Sequence, residues 1–219
     1  MSNQDSFIDE VTEEVRRDKL YALYKKYGWI AALAVVVLVG GAGWNEWRKA
    51  AAEAEAQAIG DALLAALADD TPEGRAAALA AIDAPEEPGR KAITQLLQAS
   101  TEVEAGNIAA ARAIFDQVAA DAALPARMRD LAALKSVILA GSELAPEERL
   151  SRLSAIAVPG SPYRLLALEQ IALAEIEAGA TDKALETLSR IAEDAEATQD
   201  LRRRVSQLIV ALGGELAAT

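Results

Sequence analysis

Glu102 and Glu104, and again Glu175 and Glu177, are carboxylates two residues apart, the residue type that general acid–base catalysis draws on. Residues two apart on a helix point to different faces, so neither pair can converge on one substrate atom. The chain has no histidine and no cysteine. That removes imidazole bases, thiol nucleophiles, disulfides and the nitrogen and sulfur ligands of zinc together. Its sequence holds no phosphate-cradling glycine loop and no nucleophile elbow. The expectation is a protein that is not an enzyme, with no catalytic residue, cofactor, metal or small-molecule substrate.

What remains is recognition. Arg202-Arg203-Arg204 could meet acidic lipid or an acidic partner, or form a solvated basic face. The formal charge is −12, and acids and bases balance before residue 50, so the excess acid lies beyond it. Such a surface favours solubility and makes nucleic acid an unsuitable partner, because phosphate binding needs a basic face. Candidates for a partner groove are Gln95, Gln98, Glu102, Arg164, Leu168 and Glu175. Each of them reads equally well as solvated charge or ordinary helix packing.

The elements that would position these residues are helices, since alanine and leucine dominate and the β-branched alternation of strands is missing. From Tyr27 to Asn45 no residue is charged, and Gly28–Trp47 is 20 residues long. At about 1.5 Å per residue this spans a hydrocarbon core of about 30 Å, where only a helix satisfies the backbone of so apolar a stretch. Tyr24, Tyr27 and Trp29 at one end, and Trp44 and Trp47 at the other, read as aromatic belts at the two headgroup layers. Arg16, Arg17, Lys19, Lys25 and Lys26 precede the span and only Arg48 and Lys49 follow closely, which keeps the N-terminal tail in the cytoplasm.

A cleaved signal peptide ending near Gly40-Gly41-Ala42-Gly43 is the competing reading. The long acidic leader and the Trp44, Trp47, Arg48, Lys49 flank argue for an anchor instead. In the tail, Phe7 or Ile8, Val11 and Val15 recur at helical spacing amid acids. That segment is either a short amphipathic helix that docks on a partner or a frayed end.

All prolines fall after residue 70, and Pro72, Pro125, Pro146 and Pro162 stand where helices should start. The pattern predicts a helix from about Arg48 to Ala68 and others near 73–83, 89–105, 108–121, 126–140, 147–157, 162–178, 182–195 and 199–212. Within them Thr101-Glu102-Val103-Glu104-Ala105-Gly106-Asn107 recurs as Ala174-Glu175-Ile176-Glu177-Ala178-Gly179-Ala180. Beyond each glycine, Ala111, Phe115 and Val118 correspond to Ala184, Leu188 and Ile191.

In these units the chain resembles the tetratricopeptide repeat family, whose period is about 34 residues. Gly106, Ala111 and Phe115 match the family pattern, as do Gly179, Ala184 and Leu188, with Ala99 and Ala172 as the small residues that let paired helices approach. Glycine suits a left-handed C-cap and alanine permits close helix contact. The usually aromatic positions of the first helix hold Gln95 and Glu102, or Leu168 and Glu175, and 126–157 reads as a degenerate middle unit around Gly141.

The acidic tail, the Tyr27-Gly28-Trp29 entry, the Gly43-Trp44-Asn45-Glu46-Trp47 exit and the Ala/Glu-rich helix running on into repeats together resemble the YfgM-like tetratricopeptide family of bacterial envelope proteins. The resemblance covers nearly the whole chain. It implies an ancillary subunit of the Sec translocon in the bacterial inner membrane, working with a membrane-anchored periplasmic chaperone on exported chains. The same repeat domain is grouped with a periplasmic cell-division coordinator. The alternative function is a structural scaffold that self-associates or organises another envelope complex, for division or respiration, by partner binding. The expected organisation is a cytoplasmic tail (1–26), a transmembrane helix (27–47), a linking helix with a first hairpin (48–88), and a tetratricopeptide-like solenoid (89–219) in the periplasm.

Overall fold

Where each helix starts follows from local chemistry. The computed structural model of the chain describes residues 3–83, 85 and 87–215. Pro72, Pro88 and Pro146 occupy the first turn of their helices, where a missing N–H costs nothing. The Thr71 hydroxyl accepts from the Gly74 N–H, and the Glu87 carboxylate accepts from the Gly89 and Arg90 N–H groups at 2.9 and 2.8 Å. Thr198 caps the last helix through the Leu201 N–H. These side chains satisfy donors that a helix N-terminus leaves open.

The helices are α1 (Asn3–Leu67), α2 (Pro72–Ala80), α3 (Pro88–Glu104), α4 (Ile108–Ala120), α5 (Ala126–Ala140), α6 (Pro146–Ser154), α7 (Arg164–Glu177), α8 (Thr181–Glu193) and α9 (Gln199–Ala211), with a 3₁₀ turn at Gly141–Glu143. No strand occurs among the described residues. By contacts the chain divides into two units, 1–58 and 59–219.

In the first unit α1 carries the apolar stretch as a helix long and apolar enough to cross a membrane. Its large side chains face outward: Trp29 and Trp44 are each 65% exposed, and Val35 to Val39 are open as well. Trp44 and Trp47 lie with ring centres 5.2 Å apart, and the Lys26 ammonium sits 5.5 Å from the Tyr27 ring centre. The side chains of Tyr24, Phe7, Ile8, Val11 and Val15 lie outside the described residues.

The second unit is a run of hairpins, α3/α4, α5/α6 and α7/α8, followed by α9, in which each helix packs chiefly on its neighbours in sequence. Three apolar clusters follow one another along it. The first holds Ala92, Ala99, Ala111, Phe115, Val118 and Ala132, the second Leu134, Val137, Leu153, Ile156 and Ala167, and the third Leu168, Ala172, Leu188, Ile191, Val205 and Ile209. Ala99, Ala111, Ala172, Ala184 and Leu188 are fully buried and Phe115 is nearly so. This is the one-dimensional core of a repeat protein.

The period is written in the backbone. Positive φ values occur at Gly106, Gly141, Gly179 and Gly213, each just after α3, α5, α7 or α9, at spacings of 35, 38 and 34 residues, and also at Gly160 in the loop between α6 and α7. At Gly106 the glycine N–H donates to the Val103 carbonyl and the Asn107 N–H to that of Glu102. Gly179 and Ala180 repeat the arrangement on Ile176 and Glu175, and Gly213 and Gly214 on Val210 and Ile209. This paired pattern needs a left-handed residue, which glycine supplies without strain. By this register α3, α5, α7 and α9 are equivalent first helices.

Candidate functional site

The first helices line two clefts in the second unit. One, of about 530 Å³, opens between α3, α5 and α7. Val103 comes from α3, Leu131, Leu134, Ile138 and Leu139 from α5, and Leu166 from α7, with Phe115 of α4 at its base and Tyr163 at one side. Ile138 is 47% and Leu166 40% exposed, so apolar carbon is left in water at its mouth. α5 is apolar on two faces: Ala132, Val137 and Ala140 are buried in the core, and Leu131, Ile138 and Leu139 face the cleft. Volumes of roughly 300–1,000 Å³ with a mostly apolar lining typify binding pockets.

The second cleft, about 630 Å³, lies between α7 and α9 and shares Leu166 with the first. Its walls are charged but internally paired. Arg164 bonds Asp194 and Glu196, both at 2.8 Å, and Arg204 grips both oxygens of Glu169 at 2.8 and 2.9 Å. These bonds hold both guanidinium pKa values above the ordinary arginine value, and the Glu196 N–H followed by Arg164 holds the Asp194 carboxyl below its usual range.

The two glutamate pairs are tied into the scaffold. Glu102 accepts from the Asn107 amide at 2.8 Å, Glu104 from Arg75 at 2.8 Å and Glu175 from the Thr187 hydroxyl at 2.9 Å. Glu177 takes both terminal nitrogens of the buried Arg149, whose hydrogen bonds push its pKa down. Within the arginine run, Arg202 donates to the Asp194 carbonyl, Arg203 pairs with Asp200 and Arg204 with Glu169. No group of acids able to hold a metal ion is found among the described residues.

The residues expected to line a groove are dispersed. Gln95 and Gln98 are half-buried on α3, with the Gln98 carbonyl accepting from the Thr101 hydroxyl. Leu168 is 8% exposed and belongs to the third core cluster. Arg164 lines the charged cleft, whereas Gln95, Gln98, Glu102 and Glu175 are absent from the lining of the apolar one. Reading along the sequence missed Leu131, Lys135 and Ile138, which sit in the middle unit. Their signal is the helical spacing of Leu131, Leu134 and Ile138, an apolar stripe with Lys135 beside it.

A family model described as a tetratricopeptide repeat-like domain matches residues 22–160. The match takes in the apolar stretch of α1 and the helices through α6, and ends before α7. No curated protein and no solved structure matches the chain.

Proposed function

The chain belongs to the tetratricopeptide repeat-like domain family, and on that footing we propose that it is a membrane-tethered protein-interaction module whose inner helical face receives segments of other proteins. The observation that carries this is the apolar cleft between α3, α5 and α7, with Ile138 and Leu166 at its mouth. Repeats of helix pairs offer such faces to peptides and partner helices. The module performs no chemistry of its own.

The tether is α1, crossing the bacterial inner membrane once with residues 1–26 in the cytoplasm and the repeats in the periplasm. The apolar stretch with its outward-facing Trp29, Trp44 and Trp47, and the bias of Arg16, Arg17, Lys19, Lys25 and Lys26 over Arg48 and Lys49, support this orientation. The resemblance to YfgM-like proteins supports a role beside the Sec translocon, assisting a periplasmic chaperone with newly exported chains.

Crosslinking mass spectrometry on intact membranes tests the assignment. Links from residues 90–212 to translocon subunits, chaperones or nascent chains are the expected outcome. Links confined to further copies of the chain, or to division or respiratory complexes, would move the function to scaffolding.

A further inference from the structure

The register of the glycines leaves one place in the array open. Ala99, Leu134 and Ala172 stand seven residues before Gly106, Gly141 and Gly179, and all three are buried. A second helix covers each of them: Ala99 clusters with Ala111 and Phe115 of α4, Leu134 with Leu153 of α6, and Ala172 with Leu188 and Ile191 of α8. Seven residues before Gly213 stands Ser206 of α9, half-buried, on the wall of an open depression of about 430 Å³ with Arg203, Gln207, Val210 and Ala211. No helix follows α9 among the described residues. A helix that merely caps a repeat array shows a polar outer face, yet Val210 and Ala211 are exposed at this edge.

We propose that an acidic amphipathic helix of a partner protein fills this place and completes the hairpin that α9 begins, at a site separate from the apolar cleft. The helices that fill the equivalent places give its pattern: a small, a large apolar and a further apolar residue, as at Ala111, Phe115 and Val118 in α4 and Ala184, Leu188 and Ile191 in α8. Serine is nearly as small as alanine, so a helix can approach α9 at Ser206 much as α8 approaches α7 at Ala172. Such a helix docks through residues at i, i+4 and i+7. Charge selects the partner. α9 carries Arg202, Arg203 and Arg204 against Asp200, a surplus of two positive charges in a chain of net charge −12. Arg204 is held by Glu169 and Arg202 donates to the Asp194 carbonyl. Arg203 pairs with Asp200 on the open surface, a kind of pair that contributes little and exchanges readily. A second copy would set one arginine-rich α9 against another, which like charges oppose.

The test uses the full chain in lipid nanodiscs, with empty nanodiscs as the blank. The probe is a fluorescein-labelled peptide of residues 180–195, the chain's own α8 with its flanks, whose side chains sum to a charge of −2. Fluorescence anisotropy should show binding that is lost when the peptide carries Leu188→Asp. In the chain, Ser206→Trp should abolish it, Arg203→Glu should weaken it about tenfold, and Ile138→Asp in the apolar cleft should leave it unchanged. Melting curves establish that each variant is folded. Absence of binding, or binding unaffected by Ser206→Trp, as when the peptide merely exchanges with α8, would overturn the proposal. Dimerisation of the chain in detergent, seen by light scattering and abolished by Ser206→Trp, would place a second copy on this face and overturn it too. Loss of binding in Ile138→Asp would move the peptide to the apolar cleft, leaving the inner-face reading standing and this one overturned.

Discussion

Gly106 and Gly179 end their helices with the same pair of backbone hydrogen bonds, at φ of 79° and 75°. Each is a point where the chain must turn left-handed to start the next helix. Alanine at either position should lower stability by about 1 kcal/mol. Gly60→Ala, inside α1 with open space around its Cα, should instead be neutral or stabilising by up to about 1 kcal/mol. Urea unfolding of the three variants checks this; equal shifts would mean that the glycines are not the repeat punctuation.

Arg149 and Glu177 join α6 to α7, and the two partners are unequally buried, with side chains 7% and 45% exposed. Removing the carboxylate strands a buried guanidinium, whereas removing the guanidinium leaves a carboxylate that water can reach. Glu177→Gln should therefore destabilise the repeats more than Arg149→Met. The order of the two melting temperatures decides it, and the reverse order would place the cost elsewhere.

Several carboxyl groups are held below their usual pKa: Glu177 by Arg149, Asp194 by the Glu196 N–H and then Arg164, Asp69 by the Thr71 N–H and hydroxyl, and Glu87 by the Gly89 and Arg90 N–H groups. Because the folded values are depressed, the unfolded chain takes up protons first on acidification. The stability they give is complete above the ordinary values, 3.8 for aspartate and 4.5 for glutamate, and is lost as pH falls through the folded ones. Melting temperature should drop progressively below about pH 5, and less steeply in Glu177→Gln. The chain has no histidine, so no imidazole adds a transition between pH 6 and 7.

The helices were legible in the sequence because prolines, caps and glycines mark their ends: the pattern places a helix at 126–140, and α5 is Ala126–Ala140. The repeated Glu-x-Glu-Ala-Gly segment was legible too, but its meaning was not. The four glutamates serve Asn107, across the turn that ends α3, and Arg75, Thr187 and Arg149, partners 12 to 29 residues away that only the packed helices bring near. The cleft was hidden for the same reason. The spacing of Leu131, Leu134 and Ile138 shows that α5 has a second apolar face, but what that face meets depends on where α7 delivers Leu166, which a single helix's periodicity does not carry.

The proposed anchor makes a separate prediction. The full chain should stay with membranes through alkaline carbonate extraction, and replacing Val35, Val37 and Val39 by aspartate should release it, since each charge at mid-bilayer costs roughly 3 kcal/mol by insertion scales. Recovery of the unaltered chain in the soluble fraction would mean that α1 does not span.

The most direct test of the inner face is site-specific photo-crosslinking in intact membranes. A photoreactive residue is placed at Ile138 or Leu166, at the mouth of the apolar cleft, and for comparison at the exposed Gln117 of α4. Protein adducts at positions 138 and 166 and none at 117 are the predicted result. Adducts at 117 alone, or equally at all three, would contradict the account.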